Sequence, residues 1–157
     1  EGNNHTTGTL TAGTKSFLID HPLDPANRYL EHSSVESDER MNVYRGHVLL
    51  DDRGEATVTM PNWFEALNEE FEYQLTCVGG YAPVYVRVEL TDGKFTIAGG
   101  KPGLKVSWQL TGVRHDPVAR SRPLEVERTK PASERGRYLN PEAYGLDASR
   151  GIGRMKK

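Results

Sequence analysis

The sequence predicts a mainly β protein, an antiparallel β-sandwich or barrel that carries one short helix. Runs of strand-forming residues recur at short spacing over residues 15–115, and turn-forming residues separate them. Sixteen glycines and nine prolines favour many tight turns over long helices. Apolar residues make up 36% of the chain, which indicates a small core or a core built from only part of the sequence.

The chain divides into three parts. Residues 1–14 are rich in Gly, Thr and Asn, which is typical of a linker or of a fibre-shaft strand completed by neighbouring chains. Residues 15–115 hold the predicted β-rich domain. From residue 116 the chain is charged and interrupted by prolines, so we expect an extended tail. The tail has ten Lys and Arg against six Asp and Glu (+4), and the rest of the chain has ten against sixteen (−6). This difference in charge predicts that the tail is a separate structural region or a contact surface.

The first half of the domain holds a strand, a proline-rich turn and a hairpin. Residues 17–20 are the first predicted strand, and Pro22 and Pro25 make the following segment extended or turning. The clearest predicted hairpin pairs residues 43–50 with residues 55–60 around the turn of residues 51–54.

The best helix candidate is residues 61–67. Asn62 is placed to cap this helix, and Glu65, three residues later, completes a capping box. The apolar residues predicted to share one face are Phe64, Leu67 and Phe71.

Three strands are predicted next, at residues 72–78, 84–90 and 94–98, with a tight turn at residues 91–93. Residues 104–113 form a half-buried strand whose apolar positions alternate. The single cysteine, Cys77, excludes an intrachain disulfide and lies in an apolar run that favours an inert thiol.

In the tail, residues 140–145 have a cap, a first-turn proline and a final glycine, which predicts one helical turn. The side chains expected to pin that turn are Tyr138, Leu139 and Tyr144.

Several uncommon runs occur together in the sequence: SFLIDHPLDPANRYLEHSSVES, RGEATVTMPNWFEALNEEFEYQLT, KVSWQLTGVRHDP and ERGRYLNPE. They resemble an uncharacterised domain at the C-terminal end of bacterial and phage tail-fibre-like surface proteins, often after Thr-Gly-Thr-Leu repeats such as residues 7–10. The resemblance covers almost the whole chain. It implies a homotrimeric fibre tip on a cell surface or virion, in contact with upstream fibre repeats, and it implies no chemistry.

The segment of residues 37–40 departs from that family pattern, which has a proline there. Its Ser-Asp-x-Arg order resembles the cleavage site of self-cleaving chaperone domains that end some phage fibres. Long helices follow the site in those domains, whereas strands are predicted here, so a solvated loop is the favoured interpretation.

A hydrolytic site is conceivable where His32 precedes two serines and where Asp20 or Asp38 is a third group. A nucleophile and its base must lie within hydrogen-bond reach, but neighbouring residues of a strand point to opposite faces. Structural polar contacts are therefore favoured, and we expect no enzyme.

A metal site is conceivable from Asp20, His21, Asp24 and His32, either within one chain or shared by three chains on a fibre axis. Their spacing matches no regular zinc or calcium loop, and the nearby prolines have their own turn-forming role. No cofactor is expected. No apolar run approaches the ~20 residues of a membrane span.

Phosphate and nucleic-acid sites are disfavoured. The glycine-rich residues 99–103 lack the spacing of a phosphate loop and precede a strand. The arginines of the tail alternate with glutamates and have no stacking pair of aromatic residues, so packing against an acidic body is the simpler expectation.

Exposed aromatic residues indicate the most plausible ligand surface. Tyr81 and Tyr85 flank a loop of glycines and a proline and are predicted to face outward. Trp63, which is predicted to be core or interface, is the third candidate ligand-binding residue. Glycans stack on such rings, which makes a receptor- or glycan-binding tip the alternative to a purely structural, trimerising cap.

Overall fold

The computed structural model describes residues 16–33 and 36–152, and the predicted shaft-like segment of residues 1–14 lies outside the described residues. The described chain is mainly β, which confirms the predicted class. It divides into two compact units, one ending at Asp116 and the other beginning at Pro117, close to the point where the charge changes sign.

The strands of the first unit form one two-stranded and two three-stranded antiparallel sheets. The elements are β1 (Ser16–Asp20), β2 (Tyr29–Ser33), β3 (Met41–Leu49), β4 (Ala56–Thr59), α1 (Phe64–Leu67), β5 (Asn68–Val78), β6 (Tyr85–Thr91), β7 (Lys94–Ala98) and β8 (Lys105–Arg114). The sheets have the orders β1-β2, β3-β8-β5 and β4-β7-β6.

The core lies between the two three-stranded sheets, which form a β-sandwich. Phe95 of β7 is fully buried, and its ring centroid lies 5.4 Å from that of Tyr73 and 5.5 Å from that of Trp108 in the opposite sheet. The Tyr73 hydroxyl accepts a hydrogen bond from the Leu90 N–H across the sandwich at 2.8 Å, and burial raises the pKa of Tyr73. Rings and a hydrogen bond therefore join the two sheets.

The predicted hairpin of residues 43–50 and 55–60 is wrong beyond its turn. The turn itself forms, since the Asp51 N–H donates to the Glu55 carbonyl at 2.8 Å. The flanking strands then separate, because β3 pairs with β8 and β4 pairs with β7 in the other sheet. Burying the apolar sides of both strands against each other favours opposite sheets over a flat hairpin.

The predicted helix is one turn, and its predicted capping box does not form. Trp63 is the N-cap residue of α1, and no side chain caps the helix. The Glu65 carboxylate instead accepts a hydrogen bond from the Gly93 N–H of the β6–β7 turn at 2.6 Å. Phe71, expected on the helix face, lies in β5 and stacks on Phe64 with 5.5 Å between ring centroids.

The tight turn between β6 and β7 is as predicted. Asp92 and Gly93 both have positive φ angles, 52° and 71°, which suits a two-residue hairpin turn. In β8 the predicted alternation also holds, because Val106 and Leu110 are fully buried while the intervening Ser107 is exposed.

The β1–β2 hairpin has extensive contacts only within itself among the described elements. Its connection turns through hydrogen bonds from the His21 N–H to the Arg28 carbonyl (2.9 Å) and from the Asp24 N–H to the His21 carbonyl (3.0 Å). Leu18 and Ile19 point to opposite faces of the hairpin and are 58% and 39% exposed, so each face leaves apolar surface accessible.

The second unit contains the helix α2 (Pro117–Ser121) and three 3₁₀ turns, at Ala132–Glu134, Pro141–Tyr144 and Ala148–Arg150. The turn predicted at residues 140–145 forms and ends at Gly145, whose φ is 68°. A parallel bridge pairs Tyr138 with Gly151, and the Tyr138 ring lies 5.3 Å from that of Tyr144. The end of the tail therefore folds back on itself and is not extended over its whole length.

Candidate functional site

A pocket that contains a predicted ligand-binding residue lies at one end of the sandwich, between the β5–β6 and β7–β8 loops. It has a volume of about 370 Å³ and is lined by residues 78–81 and 101–105. Val78 is paired with Lys105 at the last rung between β5 and β8, so the sheet itself brings the two loops together. The predicted ligand-binding residue Tyr81 lies in this pocket.

Hydrogen bonds within the protein hold both loops in place. The Gly103 N–H donates to the Leu50 carbonyl at 2.9 Å, and the Leu104 N–H donates to the Lys101 carbonyl at 3.1 Å. On the other side, the thiol of Cys77 donates to the Ala82 carbonyl at 3.4 Å. The thiol thus has a structural role.

Tyr81 extends from an anchored loop into solvent. Its neighbour Ala82 is buried, whereas 81% of Tyr81 is exposed, the largest exposure of any aromatic residue among those described. In the described part of the chain the Tyr81 ring contacts no other ring, in contrast to Tyr44, Tyr73 and Tyr138.

Two lysines that the sequence reasoning missed complete the pocket. Lys101 and Lys105 are exposed in its lining, which contains no carboxylate. Neither lysine has an ion pair with any described residue. Lys101 lies in the glycine-rich segment of residues 99–103, which lacks the spacing of a phosphate loop. The pairing of Val78 with Lys105, which brings this loop beside Tyr81, is not readable from the sequence.

The other two predicted ligand-binding aromatics lie elsewhere. Tyr85 begins β6 and is half-exposed, but it does not line the pocket. Trp63 precedes α1 and β5, whose first residue, Asn68, pairs with Arg114 at the far end of β8. The Trp63 ring lies 6.4 Å from that of Tyr44, which pairs with Leu110 in the second half of β8, whereas the pocket lies at the Lys105 end. The three rings therefore do not form one platform.

The structure does not bring the four predicted metal ligands together within the chain. Asp20 pairs with Tyr29 and His32 pairs with Phe17, which puts Asp20 and His32 on opposite faces of the hairpin. His21 accepts a hydrogen bond from the Leu23 N–H at 3.2 Å, and Asp24 accepts one from Asn27 at 2.8 Å. Across residues 16–33 and 36–152, no three His, Cys, Asp or Glu side chains are grouped to hold a metal ion. A site shared between chains stays a prediction.

The conceivable hydrolytic arrangement has the same difficulty, because Asp20 and His32 face apart, and the second serine after His32 lies outside the described residues. The Ser37 hydroxyl, the conceivable self-cleavage nucleophile, accepts from the Glu39 N–H at 3.1 Å and donates to the Met41 sulfur at 3.3 Å. These are contacts of a turn.

A second, acidic groove of about 430 Å³ lies where β3 and β8 meet the beginning of β5. Its lining combines three carboxylates with three apolar side chains: Glu39, Glu70, Glu72, Met41, Phe71 and Val113. The register of β5 shifts between Glu69 and Glu72, and Glu70 has a positive φ of 52°. Glu70, Phe71 and Glu72 all line the groove at this bulge, although a regular strand would place Phe71 on the face opposite the two glutamates.

Comparison with known protein families, with curated proteins and with solved structures gives no match. No helix in the described part of the chain is long and apolar enough to cross a membrane.

Proposed function

We propose that this chain is a non-enzymatic structural domain that caps a fibre on a bacterial surface or phage tail and associates with copies of itself. The observation that carries this proposal is the β1–β2 hairpin. Leu18, Leu23 and Tyr29 are 58%, 89% and 74% exposed on a two-stranded element that lacks a partner sheet among the described residues. Such a hairpin is marginally stable alone, and its apolar surface suits a protein interface.

The edge of the sandwich supports the same function. β3 is a nine-residue edge strand with Val43 and Leu49 exposed on its outer face. A long apolar edge is a template for pairing with another chain unless it is covered. Burial of the hairpin and of this edge between subunits would explain why a domain with a small core exposes these side chains.

Charge supports a contribution from the tail. The acidic groove around Glu70 and Glu72 belongs to the unit that precedes the tail, and the tail carries an excess of four positive charges. A basic segment of one copy is complementary to the acidic groove of another. Closed cyclic symmetry is the usual form of homo-oligomers, and the resemblance to fibre-tip domains favours a trimer.

Absolute mass in solution tests the proposal. By multi-angle light scattering we expect a trimer of the 17.5 kDa chain, and we expect Leu18→Ser/Leu23→Ser to dissociate it because the hairpin loses the apolar surface that it buries. Val88→Ser, an exposed apolar position on β6, is the matched control and should keep the wild-type mass. A monomeric wild type would overturn self-association, and an undiminished mass for the double variant would remove the hairpin from the interface.

A second candidate function, recognition of a receptor or glycan, is favoured by the pocket beside Tyr81. It is compatible with a fibre tip, since the two functions use different surfaces. A glycan array with wild type and Tyr81→Ala tests whether the domain recognises saccharides at all. Both functions imply an extracellular, cell-surface or virion location.

A further inference from the structure

We propose that the pocket between Tyr81, Lys101 and Lys105 binds an acidic saccharide, with a sugar ring stacked on Tyr81 and its carboxylate held by the two lysines. This inference rests on the second proposed function, recognition at the Tyr81 loop, and is independent of self-association. It adds two residues and a ligand class that the aromatic ring alone does not specify.

The ring supplies the first part of the ligand. An outward-facing, unpartnered tyrosine offers a flat apolar face with a polar tip, which suits the C–H face of a pyranose. Because Ala82 is buried and Cys77 is hydrogen-bonded to it, the loop is already ordered before binding. A preorganised contact loses little conformational entropy when the ligand arrives.

The lysines supply the charge. Both ammonium groups belong to a pocket lining without carboxylates, on a unit whose sequence up to residue 115 carries −6. A locally cationic pocket on an acidic surface selects for a small anionic group over an extended polyanion, which the surrounding carboxylates repel.

The backbone argues against a phosphate as the main anion. Phosphate sites use free N–H groups of a glycine-rich loop, usually at a helix N-terminus. Here the N–H groups of Gly100, Gly103 and Leu104 donate to carbonyl groups of the protein, and Pro102 has none. The charged groups of that loop that can meet the anion are the Lys101 and Lys105 side chains, and these flexible lysines suit a carboxylate on a ring that Tyr81 positions.

The size of the pocket agrees with this ligand. About 370 Å³ is near the lower end of the ~300–1,000 Å³ typical of ligand pockets, so one or two sugar rings fit. The pocket is open to solvent, so we expect weak, salt-sensitive binding of one copy, strengthened by multivalency when copies assemble.

The test titrates the full chain with digalacturonate, its methyl ester as the uncharged analogue, inorganic polyphosphate and a single-stranded oligonucleotide. Binding is followed by backbone NMR shifts. We expect digalacturonate to shift residues 79–81 and 101–105 and to bind about tenfold tighter than the ester, the effect of ~1.4 kcal/mol. Lys101→Gln/Lys105→Gln should abolish that preference, Lys101→Arg/Lys105→Arg should keep it, and Tyr81→Ala should weaken both saccharides.

Two matched controls keep the result specific. Lys94→Gln removes an exposed lysine from β7, and Tyr85→Ala removes an exposed ring outside the pocket; both should bind like wild type. Equal binding of the ester would overturn the acidic ligand while leaving saccharide recognition intact. If neither saccharide binds, both the acidic ligand and the proposed recognition of saccharides are overturned. Shifts produced only by polyphosphate or the oligonucleotide would replace the saccharide with a phosphate ligand and overturn the proposal.

Discussion

Asn68, at the junction of α1 and β5, is the centre of a buried hydrogen-bond network at the far end of the sandwich. It is 1% exposed, and its side chain accepts from Asn42 at 2.8 Å and donates to the Phe64 carbonyl at 2.9 Å and to the Tyr44 hydroxyl at 3.2 Å. A buried amide is stable only when it is hydrogen-bonded, and this one joins the helix to β3. Nothing in the sequence distinguished it from a surface asparagine.

Asn68→Ala is expected to lower the free energy of unfolding by about 1–3 kcal/mol, because the groups that it satisfies are left without partners. Urea denaturation followed by circular dichroism measures the loss. Gln74→Ala, an exposed position on the same strand, is the control and should change little. Equal stability of the two variants would show that the Asn68 network contributes nothing measurable.

At the scale of elements, the β3–β4 turn shows how a local motif can be read correctly and still lead to a wrong pairing. Asp51 accepts backbone N–H bonds from Arg53 at 2.9 Å and from Glu55 at 3.0 Å. These bonds close the turn, and the Gly100 N–H attaches it to the β7–β8 loop by donating to the Gly54 carbonyl at 3.1 Å. The turn is therefore a bridge between two sheets.

The same turn carries a pH dependence. The hydrogen bond from the Glu55 N–H, followed by those from Arg53, holds the pKa of Asp51 below its ordinary value. A depressed pKa stabilises the fold above the pKa of the unfolded chain, and this stability is lost as the pH falls through the folded pKa. Asp51→Asn, which lacks the charge, is therefore expected to be less stable than wild type at pH 7. At about pH 2.5 we expect the stabilities of the two proteins to become similar.

Urea midpoints of the two proteins at both pH values test this expectation. Asp52→Asn is the control, because in the described part of the chain the Asp52 carboxylate makes no hydrogen bond. A difference between wild type and Asp51→Asn that stays constant from pH 7 to pH 2.5 would contradict the role of the charge.

At the scale of the whole molecule, the division at Asp116 predicts that the body and the tail are separable. A chain ending at Asp116 retains the complete sandwich core, all of which precedes that residue, and is expected to unfold cooperatively. We expect light scattering to show weaker association, because the chain loses the basic tail that we propose to contact a neighbouring copy. An assembly state identical to that of the full chain would exclude the tail from the interface.

A charge variant of the full chain separates electrostatics from the loss of the tail. Replacing Arg128, Arg135 and Arg137 with Gln should weaken association most at low salt, since screening already reduces the contribution of exposed charges at high salt. If the chain that ends at Asp116 fails to fold, the unit before Pro117 is not independent of the tail. The triple arginine variant would then still report whether the tail contributes to the interface.

The sequence by itself determined the features that depend on neighbours along the chain. Alternation along β8, the positive-φ turn at Asp92 and Gly93, and the helical turn ended by Gly145 were all predictable, because φ preferences and a period of two are local properties. The exposure of Tyr81 was predictable for the same reason, since glycines and a proline surround it.

Only the tertiary structure decided which strands pair and which side chains share a pocket. Glu65 hydrogen-bonds Gly93 rather than capping its own helix, and β3 and β4 join different sheets, because long-range burial outweighs local pairing preferences. Lys105 lies beside Tyr81 for the same reason: the register of β5 on β8 joins residues that the sequence separates, and register depends on the whole buried face.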